Sequence, residues 1–181
     1  MDTPIATRQE DEGRDWPARW SVSVVAETGS TNADLLAWAA RGAADRTVLV
    51  ARHQTAGRGR LDRRWDAPAG ANLLVSLLFR EIPETPHVLT QRVGLAAIAA
   101  CEEVAGVSPV LKWPNDLLLD GAKLAGVLAQ AHLGPEPAVV VGIGLNVGWA
   151  PEGAACLSTA PTWRMNSSAS SRCTMRATSR P

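Results

Sequence analysis

Apolar positions along the chain form a series of short alternating runs interrupted by two stretches of helical spacing. Residues 21–27 alternate and are rich in valine, which predicts a strand. Thr31, with Asp34 three residues later, resembles a capping box and predicts a helix that runs through an Ala/Leu stretch to Gly42. Residues 47–53 and 73–80 predict two more strands, and 89–106 an Ala-rich helix with apolar positions at Val93, Ala96, Ala97, Ala100 and Val104. Short extended pieces follow at 110–113 and 117–119, and Asp120-Gly121 is a strong hairpin-turn signal. Residues 123–130 and 138–146 complete an antiparallel-rich mixed sheet. Two helices packed on such a sheet make an α+β domain.

The ends do not share this pattern. Residues 1–19 predict a flexible arm, 20–160 the folded domain, and 161–181 a disordered tail rich in serine, threonine and arginine. That ending reads either as a natural interaction tail or as out-of-frame translation. The formal charge of the 181-residue chain is zero. Four of its 18 basic residues lie in 161–181, which contain none of the 18 acids, so residues 1–160 carry a net charge of −4. That balance argues against a general nucleic-acid binder.

The polar, acidic start lacks the basic and apolar regions of a secretory signal. No apolar run approaches the roughly 20 residues needed to cross a bilayer. Three cysteines, Cys101, Cys156 and Cys173, are widely spaced and odd in number, which argues against a disulfide framework and suits a reducing cytoplasm.

Residues 54–72 have no regular period, and a loop this long inside a compact domain is usually functional. It contains Gln54-Thr55-Ala56-Gly57-Arg58-Gly59-Arg60, then Arg63, Arg64 and Trp65. Glycines let backbone approach a ligand, and arginines meet carboxylate or phosphate oxygens with paired hydrogen bonds. On composition alone, a solvated basic loop remains equally open. The segment lacks the lysine and helix start of a P-loop.

A second cluster is Lys112-Trp113-Pro114-Asn115-Asp116, followed by Lys123-Leu124-Ala125-Gly126. A hairpin turn between them brings Asp116 near Lys123, either in a shared pocket or as an ordinary cross-strand ion pair. Gly142-Ile143-Gly144-Leu145-Asn146-Val147 lacks the third glycine and the helix of a dinucleotide fingerprint; it reads as small residues ending a buried strand and presenting Asn146. His53, His87 and His132 have no metal-ligand spacing, so no metal site is expected.

In this order, these segments together with Gly29-Ser30-Thr31-Asn32 resemble the biotin–protein ligase family over roughly residues 22–147. The resemblance implies a fold similar to the class II aminoacyl-tRNA synthetase core. It also implies an ATP-dependent enzyme that forms biotinyl-5'-AMP and passes biotin to a lysine of a carboxylase biotin carrier domain. Mg2+ would enter with ATP, held mainly by phosphates.

By carry-over, Ser30, Thr31, Asn32, Gln54, Arg58, Gly59, Arg60 and Lys123 would bind biotin. Arg60, Arg63, Trp65, Asn115, Lys123 and Asn146 would bind ATP, while Lys123, Asp116 and Arg58 would be catalytic. The arginine loop would order over the ligands as a lid.

Family members that act as repressors carry an N-terminal DNA-binding domain, which is not expected here; neither DNA nor a membrane is an expected partner, and the oligomeric state stays open. The further helix and small C-terminal β-barrel of the family are also missing from the pattern. The catalytic domain is therefore expected to be truncated. Two other readings stay open: a non-catalytic fragment that retains partial biotin binding, and a lipoate or octanoate transferase relative.

Overall fold

Side-chain size alternates along the last strand, Ala138–Leu145, and this decides what each face of the sheet holds. Val139, Val141, Ile143 and Leu145 point to one side; Ala138, Val140, Gly142 and Gly144 point to the other. Every residue of the strand except Gly144 is buried, as expected of a strand covered on both faces.

The computed structural model describes residues 16–159. The tail expected at 161–181, and all but the last few residues of the arm expected at 1–19, lie outside the described residues. The elements are β1 (Ser21–Val25), α1 (Thr31–Ala39), β2 (Thr47–Ala51), β3 (Leu73–Phe79), α2 (His87–Ala105), β4 (Val110–Lys112), β5 (Asp116–Leu119), β6 (Ala122–His132) and β7 (Ala138–Leu145), with a final 3-10 turn at Leu157–Thr159. They form one seven-stranded sheet in the order β1-β2-β3-β7-β6-β5-β4. Only β1 and β2 pair in parallel, so the expected α+β class with an antiparallel-rich mixed sheet is the one observed.

The two apolar cores lie on opposite faces of β7. Leu89, Val93, Cys101 and Ala105 of α2 pack on Val139, Val141, Ile143 and Leu145, joined by Leu117, Leu124 and Val127. Leu35 and Ala39 of α1 pack on Ala138 and Val140, with Leu49 and Leu78. The α1 face of the central strands is therefore the one that carries Gly142, Gly144 and, by register, Gly126, Leu128 and Ser76. The β5–β6 hairpin turns at Asp120-Gly121 as expected, both residues having positive φ, 51° and 81°.

Two local expectations are corrected. The N-cap of α1 is Ser30, whose side chain makes no capping bond, so Thr31 and Asp34 do not form a capping box. Asp34 instead accepts a hydrogen bond from Thr28, and the Thr31 hydroxyl turns to Gln54. Tertiary partners outcompete the local cap. On α2 the buried stripe is Leu89, Val93, Gly94, Cys101 and Ala105, whereas Ala96, Ala100 and Val104 face out. Alanines fit either face, so the larger Leu89 and Ile98, with Gly94 seating Leu111, decide the helix rotation.

Burial, and secondarily the neighbouring Glu102 carboxylate, push the Cys101 thiol above its ordinary pKa. At pH 8 an alkylating reagent is expected to spare Cys101 in the native protein and label it on unfolding. Rapid native labelling, read by peptide mass, would contradict the packing of α2 described above.

Candidate functional site

At the start of α1, Ser30, Thr31 and Asn32 are all about 5% exposed or less, an unusual density of buried polar groups. Asn32 finds its partners on β3 and β6, and Thr31 reaches both Ser76 on β3 and Gln54 just beyond β2. The Gln54 side-chain oxygen accepts from the Thr31 backbone amide at 2.7 Å and lies 3.0 Å from the Thr31 hydroxyl. Asn32 donates to the Leu128 carbonyl at 3.2 Å and to Gln130 at 2.9 Å. Ser76, fully buried in β3, lies 2.7 Å from the Thr31 hydroxyl and 2.6 Å from Asn32 Oδ1. Gly142 makes room for this group, because a Cβ there would overlap Asn32 Oδ1 and approach Ser76 Oγ to 3.1 Å.

The hydrogen inventory of this polar head is short by one. Three oxygen–oxygen contacts (Thr31 to Gln54, Thr31 to Ser76, Ser76 to Asn32) are served by two hydroxyl protons. The contact left without a hydroxyl proton can be that of Thr31 with Gln54, whose Oε1 still accepts from the Thr31 amide, and the oxygens of the group keep lone pairs that an incoming donor could use. Ser76 was missing from the sequence-derived site, although a lone serine inside the apolar run Leu73–Phe79 was a usable signal.

The basic segment is more ordered than its sequence pattern suggests. Arg58 bridges Arg64, the Gly59 amide donates to the Arg63 carbonyl at 2.7 Å, and the Trp65 amide to the Gly57 carbonyl at 3.0 Å. This is a small hairpin. Gly57 is required by its own partner strand, since a Cβ there would overlap the Trp65 carbonyl, rather than by a ligand. Leu61 and Asp62 at its tip both have φ of 56°, a left-handed conformation that costs about 1–2 kcal/mol for each such residue.

The hairpin delivers Trp65 onto the paired glycines Gly126 and Gly144. A Cβ at Gly144 would lie 2.6 Å from the indole Nε1, and one at Gly126 would lie 3.2 Å from the ring. Lys123 Nζ lies 5.8 Å from the centre of the same ring and 2.7 Å from Asp116 Oδ1. Asp116 pairs with Gly126, and a bulge separates Leu117 from Leu118, so Lys123 reaches Asp116 diagonally rather than from the directly opposite position. Asp116 Oδ1 has the Lys123 ammonium as its partner, whereas Trp65 Nε1 is shielded from water without a hydrogen-bond partner. A buried donor without a partner marks a place where a ligand would complete the bonding.

Two cavities meet here. The inner one, about 50 Å³, runs from the polar head to Lys123, with Trp65 filling much of the intervening space. The outer one, about 310 Å³, is walled by Arg60, Arg63, Trp65, Asn115, Lys123 and Asn146. Arg60 donates to Asn115 at 3.1 Å, linking the basic hairpin to the Trp113-Pro114-Asn115 turn. Arg58 and Gly59 line the inner cavity. All thirteen residues expected from the sequence are thus brought to one place.

Asn146, on the wall of the outer cavity, has its side chain tied to the protein. It is 2% exposed, and its amide is committed to the Lys123 and Ala155 carbonyls and to Asn72. His53 pairs with Glu27 at 2.8 Å, and among the described residues no group of three or more His, Cys, Asp or Glu could hold a metal ion. No helix among the described residues is long and apolar enough to cross a membrane.

Residues 24–146 match the biotin/lipoate A/B protein ligase family. A biotin–[acetyl-CoA-carboxylase] ligase of Mycobacterium tuberculosis is 49% identical over 138 residues, covering 72% of this chain and 51% of the relative. A biotin protein ligase of Aquifex aeolicus, solved in complex with biotin and ATP, superposes with a TM-score of 0.66 at 32% identity, covering 81% of this chain and 61% of that one. The biotin-bound ligase of Leishmania major gives 0.68 at 28% identity, with 80% and 64% covered. The chain spans about half the length of the Mycobacterium relative.

Because Gly142 has no room for a side-chain carbon, Gly142→Ala is expected to cost about 1–3 kcal/mol of stability, the usual range for overpacking. Gly59→Ala, whose added carbon would meet nothing nearer than 3.5 Å, should change stability by less than about 0.5 kcal/mol. Urea denaturation of both variants checks the contrast, and equal losses would contradict the close packing of Asn32 on β7.

Proposed function

The chain belongs to the biotin/lipoate A/B protein ligase family, and we propose that its site performs ATP-dependent protein biotinylation. One observation carries this reading: Lys123 stands where a small polar-headed cavity opens into a larger one walled by arginines. The reaction needs such a junction, because a carboxylate and a polyphosphate repel each other and must meet at a cation.

In the first step a carboxylate oxygen of biotin attacks the α-phosphorus of ATP. A carbon-to-phosphorus oxygen bridge forms, the bond to the β-phosphate breaks, and pyrophosphate leaves. Lys123 meets the charge that builds on the attacked phosphate, and Arg58 and Arg60 hold the two anions in register. Arg63, Trp65 and Asn115 face the nucleotide, while Asn146 supports from behind. Mg2+ would travel with the phosphates; Asp66 and Asp116 are the carboxylates that line the outer cavity.

In the second step a lysine amine of a carboxylase biotin carrier domain attacks the acyl carbon, forming an amide and releasing AMP. Asp116, already oriented by Lys123, accepts the proton the amine loses. The basic hairpin acts as the lid that keeps water from the mixed anhydride. This reading sets the reaction in the cytoplasm, where ATP is available.

The polar head favours biotin over lipoate. A ureido ring brings two N–H donors and a carbonyl to a group of side-chain oxygens and amides with lone pairs to receive them, whereas a dithiolane ring brings no N–H donor to that group. Ser30, Thr31, Asn32 and Gln54 are thus assigned to the ureido ring, with Ser76 added to the set.

Lys123→Ala is expected to lower biotin-dependent pyrophosphate release about 10²–10³-fold, the usual loss for a group that stabilises transition-state charge, while biotin binding persists. Asp116→Asn should slow transfer to the carrier lysine more than adenylate formation, and lipoate should not compete for the site. A folded wild-type protein that binds biotin yet releases no pyrophosphate would replace this reading with that of a non-catalytic binding fragment.

A further inference from the structure

At the back wall of the outer cavity lies a pair of buried amides, one of which bonds the backbone of Lys123. Asn72, immediately before β3, is 9% exposed and Asn146, immediately after β7, is 2% exposed. Asn72 Oδ1 accepts from the Val147 amide at 3.0 Å and the Trp149 amide at 3.2 Å, and its Nδ2 donates to Asn146 Oδ1 at 3.2 Å. Asn146 Nδ2 in turn donates to the Ala155 carbonyl at 3.0 Å and to the Lys123 carbonyl at 3.4 Å. The Ala155 amide reaches that same Lys123 carbonyl at 2.9 Å, and the Asn146 amide reaches Leu124 at 3.0 Å.

The chain after β7 therefore folds back against the backbone of Lys123; Asn72 holds its start at Asn146, Val147 and Trp149, and Asn146 holds its end at Ala155. From that arrangement we propose that Asn72 is a positioning residue for Lys123, acting through Asn146. This rests on the ligase reading for its kinetic consequence. The direction of Asn146 depends on Asn72, because an amide with a donor on one side and carbonyls on the other has one orientation that satisfies both. With its carbonyl fixed by two donors, Lys123 has only its own side chain left free between Asp116 and the α-phosphate position. The same fold-back supplies Pro151 and Ala154 to the outer cavity wall, so lysine and nucleotide pocket are set by one device. Displacements of about 1 Å at a reacting group can cost on the order of 10²-fold in rate.

The discriminating variant is Asn72→Asp. Its carboxylate still accepts from Val147 and Trp149, but it has no proton to give Asn146 and opposes it with a second oxygen. Asn72→Ser, which is too short for either contact, is the companion should the buried carboxylate prevent folding. Circular dichroism selects the variants that fold.

In these, kcat for biotin-dependent pyrophosphate release is expected to fall at least about tenfold, with KM for biotin within about twofold of wild type. Modification of Lys123 by an amine-selective acylating reagent, followed by peptide mass, is expected to change in rate by at least about threefold. A folded variant with wild-type kcat and wild-type Lys123 labelling would overturn the proposal, as would kcat and biotin KM worsening together. If wild type itself releases no pyrophosphate, the ligase reading has failed, and the labelling comparison still judges Asn72.

Discussion

The close approach of side chains to the glycine-floored half of β7 is the constraint on which the rest of the structure depends. Gly142 lets Asn32 lie flat on the strand, and Gly144 lets the Trp65 indole do the same one step further along. Each position had to give up a side chain that the opposite face could keep, which is why Ile143 and Leu145 still anchor the α2 core. One strand thereby serves as core on one side and as site floor on the other. The inner cavity exists because its floor is backbone.

Around that floor the charges are arranged by hydrogen bonds from the protein rather than by ion pairing. The Lys123–Asp116 pair is partly exposed, with side chains 40% and 27% accessible, so its contribution to stability is small. Its value is that a cation and a base stay side by side at the junction of two cavities. What holds them is the surrounding bonding: the buried Asn72–Asn146 amides behind Lys123 and, beside Asp116, the Val127 amide to the Asn115 carbonyl and the Asn115 side-chain amide to the Val127 carbonyl. The basic hairpin, by contrast, is tipped by two residues with positive φ and lies at the surface, as suits the lid role proposed for it.

Much of this was legible in the sequence, and the exceptions have physical causes. Strand positions were readable because valine-rich alternation and the Asp120-Gly121 turn are local signals. The rotation of α2 was not, because alanines at 96, 97 and 100 carry almost no information about which side faces the sheet. The Thr31–Asp34 pair looked like a cap because its spacing is right, yet Gln54 and Thr28, distant or outside the helix, took both side chains. The residues that the fold gathers around the two cavities stood out in the sequence through charge and glycine content. Ser76, Asn72 and the inward commitment of Asn146 were missed, since a buried amide that works through another residue leaves no mark in a linear pattern beyond being polar among apolar neighbours.

The most direct measurement is a crystal structure of the protein soaked with biotin and a non-hydrolysable ATP analogue. The ureido ring should lie against Thr31, Asn32 and Ser76, and the carboxylate and α-phosphate should both fall within hydrogen-bond reach of Lys123 Nζ, with Trp65 shifted from its place over Gly144. Biotin found elsewhere, or an analogue whose phosphates avoid Lys123, would contradict the assignment of the two cavities to the two substrates.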